Sequence, residues 1–351
     1  MQPKIRSGKS SLASPLGLLY VGPEELAACL DRLAGHVLGV AAFGRPLPTS
    51  SRVDSPPPTR PSPIWVDMPV LGGDTQFEIW TSSEPVVCCG DGEISGSCNH
   101  EILYGHVETF QADGESLEAA TFRAYIKIFD YMDREGYANL LRVWNYFPQI
   151  NAIENGLERY RGFNVGRHDA FIAKGRIVGE ENVPAASVLG TQSGPLIIYF
   201  LAGRQAGQPV ENPRQTRPYN YPPLFGPRSP AFSRAMLLKS DQRQYLFISG
   251  TASIVGHETL HGGDVAKQTD ETLANIRLLL EQAGESGCDF TAAGPLFLKI
   301  YLRHAVDLPL VRERVVAEFG AQHQAIYLQS DICRADLLLE IEGVYCSDNQ
   351  L

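Results

Sequence analysis

Two apolar segments near the end of the chain, Tyr245-Leu-Phe-Ile-Ser-Gly-Thr-Ala-Ser-Ile254 and Leu337-Leu-Leu-Glu-Ile-Glu-Gly343, decide the fold. Both have the pattern of buried strands, and a helical pattern lies between them. The second segment carries Glu340 and Glu342, although a carboxylate is costly to bury unless it is paired or functional. Cys333 precedes this pair in a similarly apolar neighbourhood, and many arginines lie earlier in the chain. A buried acid facing a cationic pocket suggests an enzyme that protonates an anionic substrate.

The composition limits the classes of function. The chain has 351 residues and a hydrophobic content of 44%, which suits one large or two ordinary globular domains. Its formal net charge of −10 argues against general binding to nucleic acid or to an anionic membrane. A negatively charged small-molecule substrate would therefore need a local cationic pocket.

The cysteines and the N-terminus indicate a reducing compartment. Seven cysteines at scattered spacings do not form a disulfide framework. Cys88, Cys89 and Cys98 could hold a metal, but no matching Cys or His pair follows, so we predict plain buried thiols and no metal. The first residues lack the apolar region of a signal peptide, and no apolar stretch approaches membrane-spanning length. We expect a cytoplasmic protein.

The pattern of strands and helices repeats, which predicts an α+β fold of two similar units with mixed sheets and helices on one face of each sheet. In the first copy we predict strands at 88–97, 140–147, 169–172 and 196–201, and helices at 116–134 and 156–162. In the second copy we predict strands at 246–255, 296–303, 324–328 and 336–343, and helices at 268–283 and 310–319.

The domain boundaries follow from this repeat and from two proline-rich stretches at 45–63 and 203–230. We predict an N-terminal extension over 1–59, a first half over 60–205, a Pro/Arg-rich connecting loop over 206–233, and a second half over 234–351. Tyrosines and other apolar residues interleave with the prolines of the connecting loop. A loop of this length within a compact protein is often functional.

The second copy resembles the YjgF/Rid fold, whose members are usually trimers with ligand sites between subunits. The matching elements are Ser249-Gly250, Gln268 with Asn275-Ile276, Ala283-Gly284, Ile300-Tyr-Leu302 and Leu339-Glu-Ile-Glu342. Ala325-Ile-Tyr327 stands near the place where that family holds a substrate carboxylate with an arginine, which argues against imine deamination.

The whole chain is more specifically similar to the chorismatases, which are built from two such halves. The segments that carry this resemblance are Arg142-Val-Trp-Asn-Tyr-Phe-Pro-Gln-Ile-Asn151, Glu158-Arg-Tyr-Arg-Gly-Phe-Asn-Val-Gly-Arg167, Glu211-Asn-Pro-Arg-Gln215, Tyr219-Asn-Tyr-Pro222, Ser249-Gly-Thr-Ala-Ser253 and Cys333 with Glu340. The resemblance implies that Glu340 is the catalytic acid. It further implies a division by product, in which a pocket Cys opposite a Gly marks the branch that makes 3-hydroxybenzoate. Cys333 with Gly250 resembles that branch, and which residue of 250–252 faces Cys333 is left open.

The chemistry of chorismate agrees with these candidates. Breaking its enol-pyruvyl ether begins with protonation of the vinyl CH₂ group, which needs an acid whose pKa burial has raised. Glu340 has such surroundings, and Glu342 on the same strand face is an alternative acid. Cys333 would assist proton movement or steer the ring, and its alternative is a small buried apolar residue.

Chorismate carries two carboxylates, for which arginine is suited because its planar group binds a carboxylate through two hydrogen bonds. The candidate ligands are Arg159, Arg167 and Arg214, with hydroxyl donors at Tyr160 and Tyr221. We assign Trp144 and Phe147 to the core.

The motif His257-Glu-Thr-Leu-His261 matches the H-E-x-x-H signature of zinc hydrolases. That chemistry requires both histidines on one helical turn, whereas Gly256 and Gly262-Gly263 flank the motif directly after a strand. We predict a loop here and no zinc site.

The sequence therefore predicts a cofactor-free enzyme that cleaves chorismate to pyruvate and 3-hydroxybenzoate. Alternatives are hydrolysis to a dihydroxycyclohexadiene carboxylate, formation of 4-hydroxybenzoate, and a non-catalytic protein that binds small carboxylates. The oligomeric state is left open between a monomer, in which the duplication replaces subunit contacts, and a homotrimer.

Overall fold

The structure is a computed structural model that describes residues 16–44, 61–73, 75–179, 182–240, 243–286 and 294–348. Three large sheets run through this part of the chain. The N-terminal sheet has the strand order β1-β4-β2-β3. Its elements are β1 (Gly17–Val21), α1 (Pro23–Arg32), β2 (Val37–Phe43), β3 (Ile64–Val66) and β4 (Gln76–Thr81).

The second sheet has six strands in the order β11-β8-β12-β7-β6-β5. Its elements are β5 (Val87–Cys88), β6 (Ser95–Cys98), β7 (Ile102–Thr109), α2 (Leu117–Glu135), β8 (Asn139–Pro148), α3 (Arg159–Ala173), β11 (Ala185–Thr191) and β12 (Leu196–Gly203). A small hairpin of β9 (Ile153–Glu154) and β10 (Leu157–Glu158) leads into α3.

The third sheet has six strands in the order β13-β14-β15-β20-β18-β19. Its elements are β13 (Gln208–Val210), β14 (Ala235–Lys239), β15 (Arg243–Thr251), α4 (Val265–Glu285), β18 (Leu296–Leu302), α5 (Leu308–Phe319), β19 (Gln324–Gln329) and β20 (Leu339–Asp348). A two-stranded hairpin of β16 (Ile254–Val255) and β17 (Glu258–Thr259) precedes α4.

The two six-stranded sheets have the same topology, which confirms the predicted tandem repeat and the α+β class. Read from β19, the third sheet repeats the order of the second sheet read from β11. In each sheet one edge pair is parallel, β8 with β11 and β18 with β19, and a helix connects its two strands. The helices α2 and α3 share a core with one face of the second sheet, and α4 and α5 do so with the third.

The helix-free faces of the three sheets meet in a common core. Trp80 of β4, Trp144 of β8 and Phe247 of β15 pack in one cluster, with ring centroids of Trp80 5.6 Å from Trp144 and 6.4 Å from Phe247. Trp144 and Phe147 are both buried, as predicted. This central region is where polar side chains of all three sheets come together.

Several predicted elements of the first half are wrong. The segment 169–172 is the last part of α3 and is not a strand, because a short apolar run fits a buried helix face as well as a strand. Residues 88–97 form two short strands around a turn, and the long strand is β7, which the sequence analysis missed. β11, which pairs in parallel with β8, was also missed.

The elements of the second half agree better with the predictions. The strand predicted at 246–255 is split between β15 and β16, and the predicted strand at 336–343 begins later, at Leu339. Much of the proline-rich stretch 45–63 lies outside the described residues. The stretch 203–230 is an extended connection with β13 and two 3-10 turns, Pro218–Asn220 and Pro223–Phe225.

The predicted division at 59/60, 205/206 and 233/234 stays a prediction. β3 and β4, which follow residue 60, pair with strands of the N-terminal extension. Among the helices of the described ranges, none combines the length and apolar character needed to cross a membrane.

Candidate active site

Glu340 lies on β20 between β15 and β18, with 3% of its surface exposed. A bulge in β15 between Ile248 and Thr251 makes room for its side chain. Gly250 sits in this bulge, and a Cβ there would collide with the Glu340 carboxylate. Burial, and then the charge of Glu342, raise the pKa of Glu340 to about 8, although Arg142 and Arg234 oppose the shift. Glu340 is therefore a protonated acid at neutral pH.

Cys333 reaches Glu340 from the loop between β19 and β20, with its Sγ 3.9 Å from Oε2 of Glu340. This loop docks on the first half, since Gly190 N donates to Asp331 O at 2.8 Å and Asn151 Nδ2 donates to Ile332 O at 3.1 Å. Burial, and then the charge of Glu340, raise the pKa of Cys333, so the group is a thiol. The two predicted catalytic residues are thus in contact at the junction of the halves.

One face of α3 points toward this contact. Tyr160, Asn164 and Arg167 follow one another at helical spacing, and the pKa of the partly buried Tyr160 is raised by desolvation and then by Cys333. Arg167 is 1% exposed, and its Nη2 donates to Asn164 Oδ1 at 3.2 Å. Its Nε and Nη1 are buried, and within the described residues neither has a hydrogen-bond partner. A buried guanidinium with unpartnered donors is suited to bind an anion.

Arg234, which the sequence analysis missed, approaches Glu340 from the start of β14 and is 4% exposed. Its Nη2 donates to the hydroxyl of Tyr221 and to the carbonyl of Thr216, each at 2.8 Å. Its Nε is buried and lacks a partner in the described part of the chain. Arg234 is therefore a second cation with a free donor beside the acid.

A cavity of about 240 Å³ opens next to these residues. Tyr160, Tyr221 and Cys333 line it, together with Phe225 and Arg334. The Arg334 guanidinium lies 4.4 Å from the ring centroid of Phe225 and donates to the His257 carbonyl at 2.8 Å. The cavity therefore joins three of the predicted site residues to the surface of the connecting loop.

The two other predicted arginines are held elsewhere. Arg159 at the start of α3 is paired with Glu154 and donates to Gln111 Oε1 at 3.0 Å. Arg214 forms an ion pair with Glu271 of α4 at 2.6 Å. Their partners satisfy them within the fold, so they are less available for a ligand than Arg167.

Glu342 lies two residues beyond Glu340 on the same face of β20 and has very different partners. Its Oε1 accepts from Lys299 Nζ at 2.8 Å and from Trp144 Nε1 at 2.7 Å, and its Oε2 accepts from Arg142 at 2.8 Å. Burial would raise the pKa of Glu342, but Lys299 and Arg142 outweigh burial and hold it below the usual range. Glu342 is therefore a carboxylate, which argues against it as the alternative acid.

Lys299 extends this network to the N-terminal sheet. Its Nζ also lies 2.7 Å from Glu78 Oε2 on β4 and 2.7 Å from the Tyr199 hydroxyl. The sequence signal for Lys299 was a lysine within the apolar strand 296–302, which is the same kind of signal that singled out Glu340. Arg234 stands between the proline-rich stretch 203–230 and the short apolar run Ala235-Met-Leu-Leu238, and the sequence analysis assigned it no role.

The zinc motif lies in the β16–β17 hairpin and its exit, as a loop and not a helix. Gly256 and His261 have positive φ angles of 58° and 60°. Over the described ranges no group of three His, Cys, Asp or Glu side chains could hold a metal ion. Cys89 Sγ lies 3.1 Å from the Tyr131 hydroxyl, and Cys88 is exposed, so the prediction of buried thiols is wrong for Cys88.

Comparison with known proteins agrees with this architecture. The family model described as "Chorismatase FkbO/Hyg5-like, N-terminal" matches residues 78–202. A protein of Streptomyces rapamycinicus named chorismatase is 38% identical over 278 residues, which cover 76% of this chain and 81% of that protein. A protein of Streptomyces hygroscopicus named 3-hydroxybenzoate synthase is 39% identical over 235 residues, covering 64% of this chain and 68% of that protein.

The fold comparison extends over almost the whole chain. A chorismatase crystal structure at 1.08 Å resolution superposes with a TM-score of 0.81 at 31% identity, covering 95% of this chain and 98% of that one. The two six-stranded halves repeat one topology, and the chain belongs to the chorismatase family.

Proposed function

We propose that this protein converts chorismate, and that it releases pyruvate and 3-hydroxybenzoate. The observation that carries the proposal is a buried Glu340 whose pKa is raised to about 8, with Arg234 close to it and Arg167 close to Tyr160 of the cavity. Nε of Arg234 and both Nε and Nη1 of Arg167 are buried and have no hydrogen-bond partner within the described residues. An acid is what the vinyl ether needs, and two cations are what a dicarboxylate needs. The relatives named chorismatase and 3-hydroxybenzoate synthase support the same substrate and product.

The proposed reaction starts with transfer of the Glu340 proton to the vinyl CH₂ group. The C3–O bond then breaks, and its electron pair forms the carbonyl of pyruvate. The oxygen of the ring C4 hydroxyl bonds to C3 and gives its proton back to Glu340. Opening of this epoxide at C4 and loss of the C3 proton produce the aromatic ring. The two products contain all the atoms of chorismate, so no water, oxidant or cofactor is consumed.

The arginines and Cys333 have separate roles in this proposal. Arg167 and Arg234 hold the two carboxylates, with hydroxyl donors from Tyr160 and Tyr221. Cys333 lies 3.9 Å from the acid and lines the cavity, where it excludes water from the ether and steers the C4 hydroxyl. Hydrolysis to the diene needs a water molecule at the ether, whereas displacement by the C4 hydroxyl does not. Exclusion of water therefore favours 3-hydroxybenzoate over the diene.

The test is incubation of EDTA-treated protein with chorismate, with pyruvate measured enzymatically and the ring products separated by chromatography. Pyruvate and 3-hydroxybenzoate in equal amounts are expected. Pyruvate with the diene would overturn the assigned product, and absence of pyruvate would favour a protein that only binds small carboxylates.

Replacement of Cys333 tests its role in product choice. We expect Cys333→Ala to retain pyruvate release within about tenfold, while part of the ring product changes from 3-hydroxybenzoate to the diene, because a water molecule fits in the space of the thiol. The product ratio in H₂¹⁸O measures this, since label enters the ring product or pyruvate only through hydrolysis or exchange. An unchanged ratio would assign Cys333 to packing alone.

A further inference from the structure

The acidic pair on β20 is surrounded so that its two members differ in charge. Glu340 and Glu342 share one face of the strand, about 7 Å apart by strand geometry. Glu342 accepts hydrogen bonds from two cations and an indole, at 2.7–2.8 Å. Glu340 faces a thiol at 3.9 Å and the glycine of the bulge. The first set of partners requires a carboxylate. The second set holds no cation within hydrogen-bond distance, so burial favours the neutral acid at Glu340 although the Cys333 thiol donates to it.

We propose that Glu342 is a positioning residue for the reaction, whose permanently ionised carboxylate, clamped by Arg142 and Lys299, keeps the proton on Glu340 until the substrate takes it. This inference rests on the proposed function and names the residue that controls its acid. It gives the buried network between the three sheets a chemical role beyond packing.

The charges around Glu340 show why such a residue is needed. Arg142 reaches toward it from β8, and Arg234 from the start of β14, and both favour the ionised form of Glu340. Lys299 on β18 adds a third cation through Glu342, and Glu78 on β4 a second anion beyond Lys299. Glu342 is the anion that opposes Arg142 and Arg234 at Glu340, so its removal leaves two cations there that both favour loss of the proton. Glu342 is the anion of this set nearest in the chain to the acid.

The negative charge of Glu342 also favours the return of a proton to Glu340 after each reaction. After proton transfer to the substrate, Glu340 is a carboxylate next to a second carboxylate in a buried site, which is unfavourable. Glu340 therefore recovers a proton from the reacting ring or its hydroxyl, and Glu342, held by its two cations, does not compete for that proton. Two neighbouring carboxyls thereby keep distinct roles throughout the cycle.

The experiment is an infrared titration of the protonated-carboxyl carbonyl band in the wild-type protein and in Glu340→Gln, Glu342→Gln and Glu78→Gln. Glu340→Gln identifies the band by abolishing it. In Glu342→Gln the midpoint of this band should fall by about one pH unit or more, since a unit charge about 7 Å away has been removed. Glu78→Gln is the matched control, because it breaks an ion pair with the same lysine, and it should shift the midpoint much less.

Turnover of chorismate is measured on the same samples against pH. The upper limb of the Glu342→Gln profile should move down with the infrared midpoint. An infrared midpoint equal to that of the wild type, or one shifted as far by Glu78→Gln, overturns the inference even if chorismate is converted. A shifted band without chorismate conversion overturns the proposed function and leaves the electrostatic inference standing. If Glu342→Gln does not fold, Glu340→Gln still decides through the difference from the wild type, because burial also raises the pKa of Glu211 to about 7 and its band remains in both proteins. A wild-type carboxyl band that Glu340→Gln leaves unchanged near neutral pH would show that Glu340 does not hold the proton and would overturn the inference.

Discussion

The two halves share one topology but carry different chemistry on the same strand. β12 of the first half lies between β7 and β8, which α2 connects. β20 of the second half lies in the same way between β15 and β18, with α4 in their connection. Tyr146 and Tyr301 occupy equivalent positions on β8 and β18, and their hydroxyls lie 3.0 Å apart. Tyr146 pairs with Ile197 and Tyr301 pairs with Glu340, so Ile197 is the equivalent of Glu340. Two residues further along, Tyr199 is the equivalent of Glu342. One half therefore supplies an apolar residue and a phenol where the other half supplies an acid and a carboxylate.

The strands beside them differ as well. β7 pairs with β12 without interruption, whereas β15 has a bulge at its pairing with β20. The bulge positions Gly250 against Glu340, where a regular strand would carry a side chain. An acid at this position thus requires a local irregularity, which the first half lacks. A repeat gives the scaffold, and departures from the repeat give the site.

The acid itself is the largest difference between the halves. We expect Glu340→Gln to reduce chorismate turnover by roughly 10²–10⁴-fold, because an amide cannot protonate the vinyl group. Gln is neutral like the protonated Glu, so the fold and substrate binding should be retained. Pyruvate release and calorimetric binding of chorismate measure both effects, and the exposed Glu93→Gln is the control. Wild-type turnover in Glu340→Gln would place the acid elsewhere.

The bulge is tested by a pair of glycine substitutions. Gly250→Ala should lower turnover by about 10²-fold with little unfolding, because the new methyl displaces the Glu340 carboxylate. Gly105→Ala on β7 meets the ring of Phe200 in the core and should cost about 1–3 kcal/mol of stability. Turnover at saturating substrate and urea unfolding separate the two outcomes. Equal losses of stability in both variants would mean that Gly250 acts only through packing.

One of the two proposed cations of the site, Arg167 on α3, belongs to the first half. Arg167→Met should raise KM for chorismate by about 10- to 100-fold, since it removes charge-assisted hydrogen bonds to a substrate carboxylate. Arg277→Met is the matched control, because Arg277 forms a surface ion pair with Glu318. Steady-state kinetics on both variants provide the measurement. An unchanged KM in Arg167→Met would point to Arg214 or Arg159, as the sequence alone suggested.

The remaining effect is the pH dependence of stability. The pKa of Glu340 is about 8 in the folded protein, against 4.5 for an ordinary glutamate. A raised pKa favours the folded state fully below about pH 4.5, and this contribution is lost as the pH rises to about 8. The melting temperature of the wild type, relative to that of Glu340→Gln, should therefore fall across this window, by the equivalent of a few kcal/mol. Parallel melting curves of the two proteins across the window would mean that Glu340 titrates normally.

The sequence predicted the second half better than the first. Helices α4 and α5 have clear apolar stripes. β20 is recognisable in the sequence because two carboxylates stand within an apolar run. In the first half the segment 169–172 read as a strand, because a short apolar run has no period of its own. β7 and β11 were missed because glycine and polar or small residues, such as Gly105-His106 and Ala185-Ala-Ser187, interrupt their apolar pattern.

The sequence by itself determined the tandem repeat, the family resemblance, and the choice of Glu340 and Cys333, because acidic and thiol groups in apolar strands are visible without coordinates. Only the tertiary structure decided which of the candidate arginines keep donors without a partner. Arg159 and Arg214 are satisfied by Glu154 and Glu271, while Arg167 and Arg234 keep unpartnered donors within the described part of the chain. The tertiary structure also decided that Glu340 is the acid and Glu342 the carboxylate. The physical reason is that a protonation state depends on the charges within a few ångströms, and these come from strands up to 200 residues apart in the chain.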